Sequence, residues 1–172
     1  MTTPADLYRT CRGSARRLET LQDYDTGGDA DRMQAFLAGA PLPPPRPGKM
    51  DDLALIADLR KRGVYVGRVH VISRPLSPYI RYELAVYAEN VAAGEDVRIA
   101  DSSLHPELGR LAQDFAIFDS ETAILFDYDD AGRVRGYQVA DDPVTVKRCV
   151  GQYVLAAAQS VPLADFMAAA AS

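Results

Sequence analysis

The residues best spaced for chemistry sit where an apolar strand gives way to a helix. Arg68 lies in the run Val64–Ser73, Arg74 follows it, and Ser77-Pro78 opens the next stretch. Serine at the N-cap with proline in the first turn is a strong helix start. Free N–H groups at such a start, with Arg74 and Ser77 beside them, could hold an anion. Along the helix to Ala93, the residues Ile80, Leu84, Tyr87 and Val91 share one face and are expected to be buried. Arg81, Tyr82, Ala85 and Glu89 point elsewhere, and Tyr79, Glu83 and Asn90 fall on a boundary face. Asp114 and Asp119 bracket the apolar run Phe115–Phe118, and one of them could pair with Glu83 for acid–base work. The candidate ligand-binding set is Arg68, Arg74, Ser77, Tyr79, Glu83, Asn90 and Asp114. A structural reading competes with it: Ser77 only caps, and Glu83 closes an ion pair with an arginine.

Stronger signatures are absent from the sequence. The two histidines, His70 and His105, have no cysteine near them, so no zinc set forms. Asp127, Asp129, Asp130 and Gly132 resemble the start of a calcium loop, but its twelfth position is Gln138 where a glutamate is needed. Aspartate and glycine there read as a hairpin turn. No GxSxG, GxxxxGK[ST] or GxGxxG motif occurs, and neither a cofactor nor a metal is expected. Arg9, Arg12, Arg16 and Arg17 cluster near the start, as a solvated face or as a contact for an acidic partner.

These side chains need a scaffold, and the 172 residues give one domain by length. Residues 1–40 read as helix (5–12), strand (Arg16–Leu21) and helix (Asp29–Ala38). Residues 41–49 hold five prolines within seven positions and read as a stiff connector or, alternatively, a ligand for an aromatic groove. Residues 50–172 form the core. Leu53, Leu55, Ile56 and Leu59 mark a helix, Val64–Ile72 a β-branched strand, Ser77–Ala93 a helix ended by Gly94, and Val97–Ile99 a strand. Strand, helix, strand is a right-handed parallel crossover. Phe115–Phe118, Ile124–Phe126 and Val134–Val139 follow as an antiparallel meander, and Asp142-Pro143 caps a final helix to Ala158. Val161-Pro162 is expected to kink the chain into a short last helix. The fold class is α/β (α+β): a mixed sheet of about six strands with one βαβ crossover, a C-terminal meander and flanking helices.

The runs RVHVISRPLSPYIRYELAVYAENVAAGEDVRI and DFAIFDSETAILFDYDDAGRVRGYQVADDP resemble the signature stretches of an uncharacterised actinobacterial family. The genes of that family often lie beside small helix-turn-helix regulators of the Xre type. The resemblance covers Leu18 to Phe166, and RRLETLQDYD and VPLADFM fit it as well. It implies a regulatory setting and no established activity. More loosely, the order of strand, Ser-Pro-Tyr helix, strand and meander resembles one half of a phospholipase-D-like fold. That superfamily transfers phosphoryl groups with a His-x-Lys-x4-Asp motif. Here Ile72 stands two places after His70 and Glu107 two places after His105, so a related copy would have lost the catalytic histidine and lysine, which argues against phosphodiesterase activity.

A formal charge of −5 with no basic stripe argues against direct nucleic-acid binding. The start MTTPADLYRT lacks an apolar core, and the tract Val154–Ala171 is interrupted by Gln159, Ser160, Pro162 and Asp165, so neither a secretory signal nor a membrane span is expected. Cys11 and Cys149 then read as reduced thiols in a cytoplasmic protein rather than a disulfide between terminal helices. The leading expectation is a non-enzymatic accessory or regulatory protein that binds a protein partner, a helix-turn-helix regulator fitting the acidic charge. The alternatives are a sensor of a small anionic or phosphate ligand, and a divergent phosphodiesterase-like or tailoring enzyme. The sequence leaves the oligomeric state open.

Overall fold

A computed structural model describes residues 2–170; the ends of the 1–172 span and of the tract Val154–Ala171 lie outside the described residues. The chain is a mixed α+β protein built on one seven-stranded sheet that does not close into a barrel. Helix α1 (Pro4–Thr10) leads into β1 (Ser14–Glu19), and α2 (Ala30–Leu37) and α3 (Pro47–Lys61) cross over to β2 (Tyr65–Ile72). Helix α4 (Pro78–Ala93) crosses to β3 (Asp96–Asp101). The meander β4 (Phe115–Phe118), β5 (Thr122–Tyr128) and β6 (Val134–Ala140) follows, then α5 (Pro143–Ala158), β7 (Ser160–Pro162) and α6 (Leu163–Ala170). The order across the sheet is β6-β5-β4-β1-β2-β3-β7. The pairs β1–β2 and β2–β3 are parallel and the rest antiparallel.

Local signals set most of these boundaries. Ser77 Oγ accepts the Ile80 amide at 3.1 Å to start α4, and Gly94, at φ +107°, ends it with an amide that caps the last turn. Asp142 accepts the Thr145 amide at 2.9 Å to start α5. Between β4 and β5, Asp119 and Ser120 both hold positive φ. The Asp119 carboxylate takes the amides of Arg12, Gly13 and Ser14, which fixes that turn against the start of β1.

The strand faces divide the protein. Leu18, Val69 and Val71 point to one side and pack with Val146, Cys149, Tyr153 and Ala156 of α5. Ala15 and Val66 point to the other and pack with Cys11 and with Ile56 and Leu59 of α3. A third cluster joins Ile72, Ile80, Leu84 and Tyr87 to Leu163 and Phe166 of α6. Cys11 and Cys149 are free thiols in different clusters. Among the described residues, no helix is long and apolar enough to cross a membrane.

Several expectations need correction. Strand β7 is a seventh strand where a kink is expected, held because the Arg98 side chain donates to the hydroxyl and carbonyl oxygens of Ser160. A second parallel crossover, β1 to β2, carries α2 and α3. Strand β1 ends at Glu19 rather than Leu21. The connector stops at Arg46, because Pro47 is a helical first-turn residue of α3. On α4, Val91 is 45% exposed and Tyr82 only 2% exposed. Tyr82 is covered by α2, where Phe36 meets its ring edge-on at 6.1 Å.

Candidate functional site

The strand face beneath α1, α3 and α4 is apolar at Ala15 and Val66 and charged beyond them. Arg17 and Glu19 continue β1 on this face, and Arg68 and His70 stand beside them in register on β2. Like charges opposite each other on paired strands are unfavourable unless compensated. Glu19 supplies the compensation. Its Oε1 lies 2.7 Å from Arg68 Nη1 and 2.9 Å from Arg17 Nε, and its Oε2 accepts the Tyr87 hydroxyl at 2.5 Å. Tyr87 also meets His70 Nδ1 at 2.8 Å, while His70 Nε2 lies 2.8 Å from the Leu21 carbonyl oxygen. At the start of β3, Glu95 accepts Arg68 Nε at 3.1 Å and Asn90 Nδ2 at 2.5 Å. Asn90 Oδ1 in turn accepts Lys49 Nζ at 2.7 Å.

Burial and charge compete here, and the cations decide most outcomes. Burial would raise Glu19, but the charges of Arg68 and Arg17 outweigh it and hold the carboxyl well below the usual range. Burial would lower Arg68, but Glu19 and Glu95 outweigh it and keep the guanidinium charged. Lys49 goes the other way: burial, then the Arg68 charge, pulls its ammonium down. Burial, then Glu19, pushes the Glu83 carboxyl up. The hydroxyl of Tyr79 is raised by burial and then by Glu83 beside it.

Two adjoining spaces, which share four lining residues, open over these groups. One, of about 300 Å³, has apolar walls from α1, β1, α3 and β2. The other, of about 520 Å³, is bounded by Glu19, Tyr24, Tyr79, Tyr128 and the β5–β6 turn. Arg17, Lys49, Asp52 and Arg68 line both and form the girdle between them. The carboxylates Glu19 and Glu95 have every oxygen engaged, but the cations do not. Lys49 uses one donor. Arg68 Nη2 has no hydrogen-bond partner among the described residues. Arg17 Nε is close to Glu19 yet out of line for a hydrogen bond, and its Nη2 makes one long contact, 3.4 Å, to the Tyr128 hydroxyl. The Arg17 guanidinium lies over the Phe126 ring, 4.8 Å from its centroid.

The structure brings Arg68, Tyr79 and Asn90 into the lining of this cleft, sets Glu83 beside Tyr79 outside that lining, and leaves Arg74 and Ser77 out of it. Arg74 Nε pairs with Asp101 at 2.7 Å, and its guanidinium lies over Phe166. Ser77 Oγ donates to the Gln22 carbonyl at 2.7 Å besides capping α4. The carboxyl end of β2 is thus filled by the Gln22 loop and α6, and the open space lies over the middle of β1 and β2. Asp114 does not meet Glu83. It accepts the Thr20 amide and hydroxyl at 2.8 Å each, and the Tyr24 hydroxyl, which fixes Tyr24 in the cleft wall. Gly132 closes the same wall, since a Cβ there would lie 2.7 Å from the Asp23 carbonyl oxygen. The sequence set omits Arg17, Glu19, Lys49 and Glu95. Arg17 and Glu19 carry a signal, two charges on one side of a short strand whose other side holds Leu18. Lys49 carries none, because it sits where the proline-rich connector is expected to end.

Fold and site together define a mixed α/β protein with a cationic girdle across the parallel part of its sheet. Residues 3–168 match the model of a domain of unknown function, DUF6879, and the chain belongs to that family. A search of the curated proteins finds no match.

Proposed function

We propose that this protein is a non-enzymatic regulatory module that binds a small anionic molecule on the girdle of Arg17, Lys49 and Arg68. One observation carries the reading: three cations keep unused N–H donors toward a cleft whose buried carboxylates are already satisfied. Charge-assisted hydrogen bonds from arginine and lysine are the strong ones, and a buried girdle supplies them with little competition from water. The sensor of a small anion, one of the alternatives raised by the sequence, is thereby favoured, with its centre moved from Arg74 and Ser77 to Arg17, Lys49 and Arg68. We place the protein in the cytoplasm, where Cys11 and Cys149 stay reduced.

Titration calorimetry of the full chain with acetate and with inorganic phosphate tests the reading. Lys49→Met is the informative variant, because Lys49 is half-buried and makes a single hydrogen bond. Binding by the parent and a loss of tenfold or more in the variant, at an unchanged melting temperature, is the expected result. Equal heats for parent and variant would remove the girdle from the site.

A protein partner, such as a helix-turn-helix regulator, has a separate support. Val134, Tyr137 and Val139 stand exposed on β6, at the outer edge of the sheet. An apolar row on an unpaired edge strand suits strand addition by another chain.

A further inference from the structure

The cleft is amphipathic. Its girdle is cationic, and the inner space of about 300 Å³ is walled by Tyr8, Ala15, Leu55, Ile56, Leu59 and Val66. Ala15, Ile56, Leu59 and Val66 are themselves buried core residues, so this wall belongs to the packed interior and not to a surface dimple. Helix α1 roofs the space through Pro4, Ala5 and Tyr8. It is pinned there by the Tyr8 ring, edge-on to Phe118 at 4.8 Å, and by Arg62, which donates to the Tyr8 and Arg9 carbonyl oxygens.

Resting on the anion-binding reading above, we infer that the ligand is an apolar-tailed monocarboxylic acid. Its carboxylate lies on Arg17, Lys49 and Arg68, and its tail lies under α1. The girdle suits a singly charged head group. Arg17, Lys49 and Arg68 stand against the carboxylates of Glu19, Glu95 and Asp52, so the cleft offers unused donors with little surplus positive charge, which a carboxylate needs less of than a phosphate dianion does. Two arginine forks with free edges also suit a planar carboxylate. The tail follows from the wall: its apolar surface gains when an apolar group displaces the water against it.

The test is calorimetry of the full chain with acetate, butanoate, hexanoate, octanoate and decanoate, with octanol as the uncharged control and inorganic phosphate as the polar one. Each methylene that reaches the wall raises affinity about threefold to fourfold, until the space is full. Octanol binds at least tenfold more weakly than octanoate. Leu55→Trp, at a half-buried wall position, flattens the chain-length series while acetate binding persists, and a melting curve confirms that the variant folds. A flat series in the parent, with acetate or phosphate still bound, overturns the tail and leaves the anion site standing. No binding of any anion overturns both. Octanol binding as well as octanoate overturns the role of the girdle.

Discussion

Glu19 is the side chain on which the cleft depends. It is 5% exposed and satisfies Arg17, Arg68 and Tyr87 at once. Removing one partner of a buried ion pair leaves the other charge uncompensated, so Glu19→Gln is expected to cost about 3–5 kcal/mol of stability. Glu83 behaves in the opposite sense, although it faces the same arginine. The Glu19 carboxyl is held below its unfolded value, so its contribution is present above about pH 4.3 and is lost as pH falls further. The Glu83 carboxyl is held above its unfolded value, so its contribution is present below about pH 4.3 and is lost as pH rises through its folded value. Glu83→Gln is therefore expected to match or exceed the parent in stability at pH 7, while Glu19→Gln falls well below it. Urea denaturation of both variants from pH 4 to pH 8 checks this. A Glu83→Gln protein that loses as much at pH 7 as Glu19→Gln would mean that Glu83 is a paired anion.

At the scale of elements, α4 ties the cleft to the core. Leu84 packs into the apolar cluster with α6, whereas Tyr87 enters that cluster and also ends on Glu19 and His70. Leu84→Ala is expected to cost about 2–5 kcal/mol through its cavity. Tyr87→Phe keeps the volume but strips a donor from the buried Glu19, which costs about 1–3 kcal/mol. Only Tyr87→Phe should also weaken anion binding, because only it loosens the carboxylate that sets Arg68. Equal binding by the two variants, after correction for stability, would break that link. The same helix shows what was legible in the sequence and what was not. Ser77 and Gly94 mark its ends because capping is local, and the Asp142-Pro143 start of α5 and the meander are local in the same way. The burial of Tyr82 is not local, because α2 reaches it from the other side of the connector. Strand β7 has three residues, too few for any periodicity, and is held by Arg98 from across the sheet. The girdle is the least local feature of all: Arg17 and Arg68 meet only through strand register, and Lys49 reaches Asn90 from the first turn of α3. Ser77 and Arg74, the residues whose local pattern most resembles an anion site, are occupied by Gln22 and Asp101.

At the scale of the whole molecule, charge placement matters more than its sum. The net charge is −5, and the arginines do not gather into a stripe. Arg17 and Arg68 are turned into the cleft against Glu19 and Glu95, and Arg32 is buried against Glu89. Arg46, Arg62, Arg74 and Arg133 each face an aspartate. A duplex is held first by cations that displace condensed counterions from its phosphates, and each contact needs a cation free to approach. Arginines committed to carboxylates of their own chain offer few such contacts, and the net negative field repels the duplex at longer range. The isolated chain is therefore expected to give no gel shift with duplex DNA at submicromolar concentration and physiological salt. Lowering the salt should add only weak, sequence-independent retardation, because screening shrinks while the net repulsion grows. If the protein acts in transcription, the DNA contact then belongs to its partner. A tight, sequence-dependent shift by the purified chain alone would overturn that division of labour and place a DNA-reading surface on this chain.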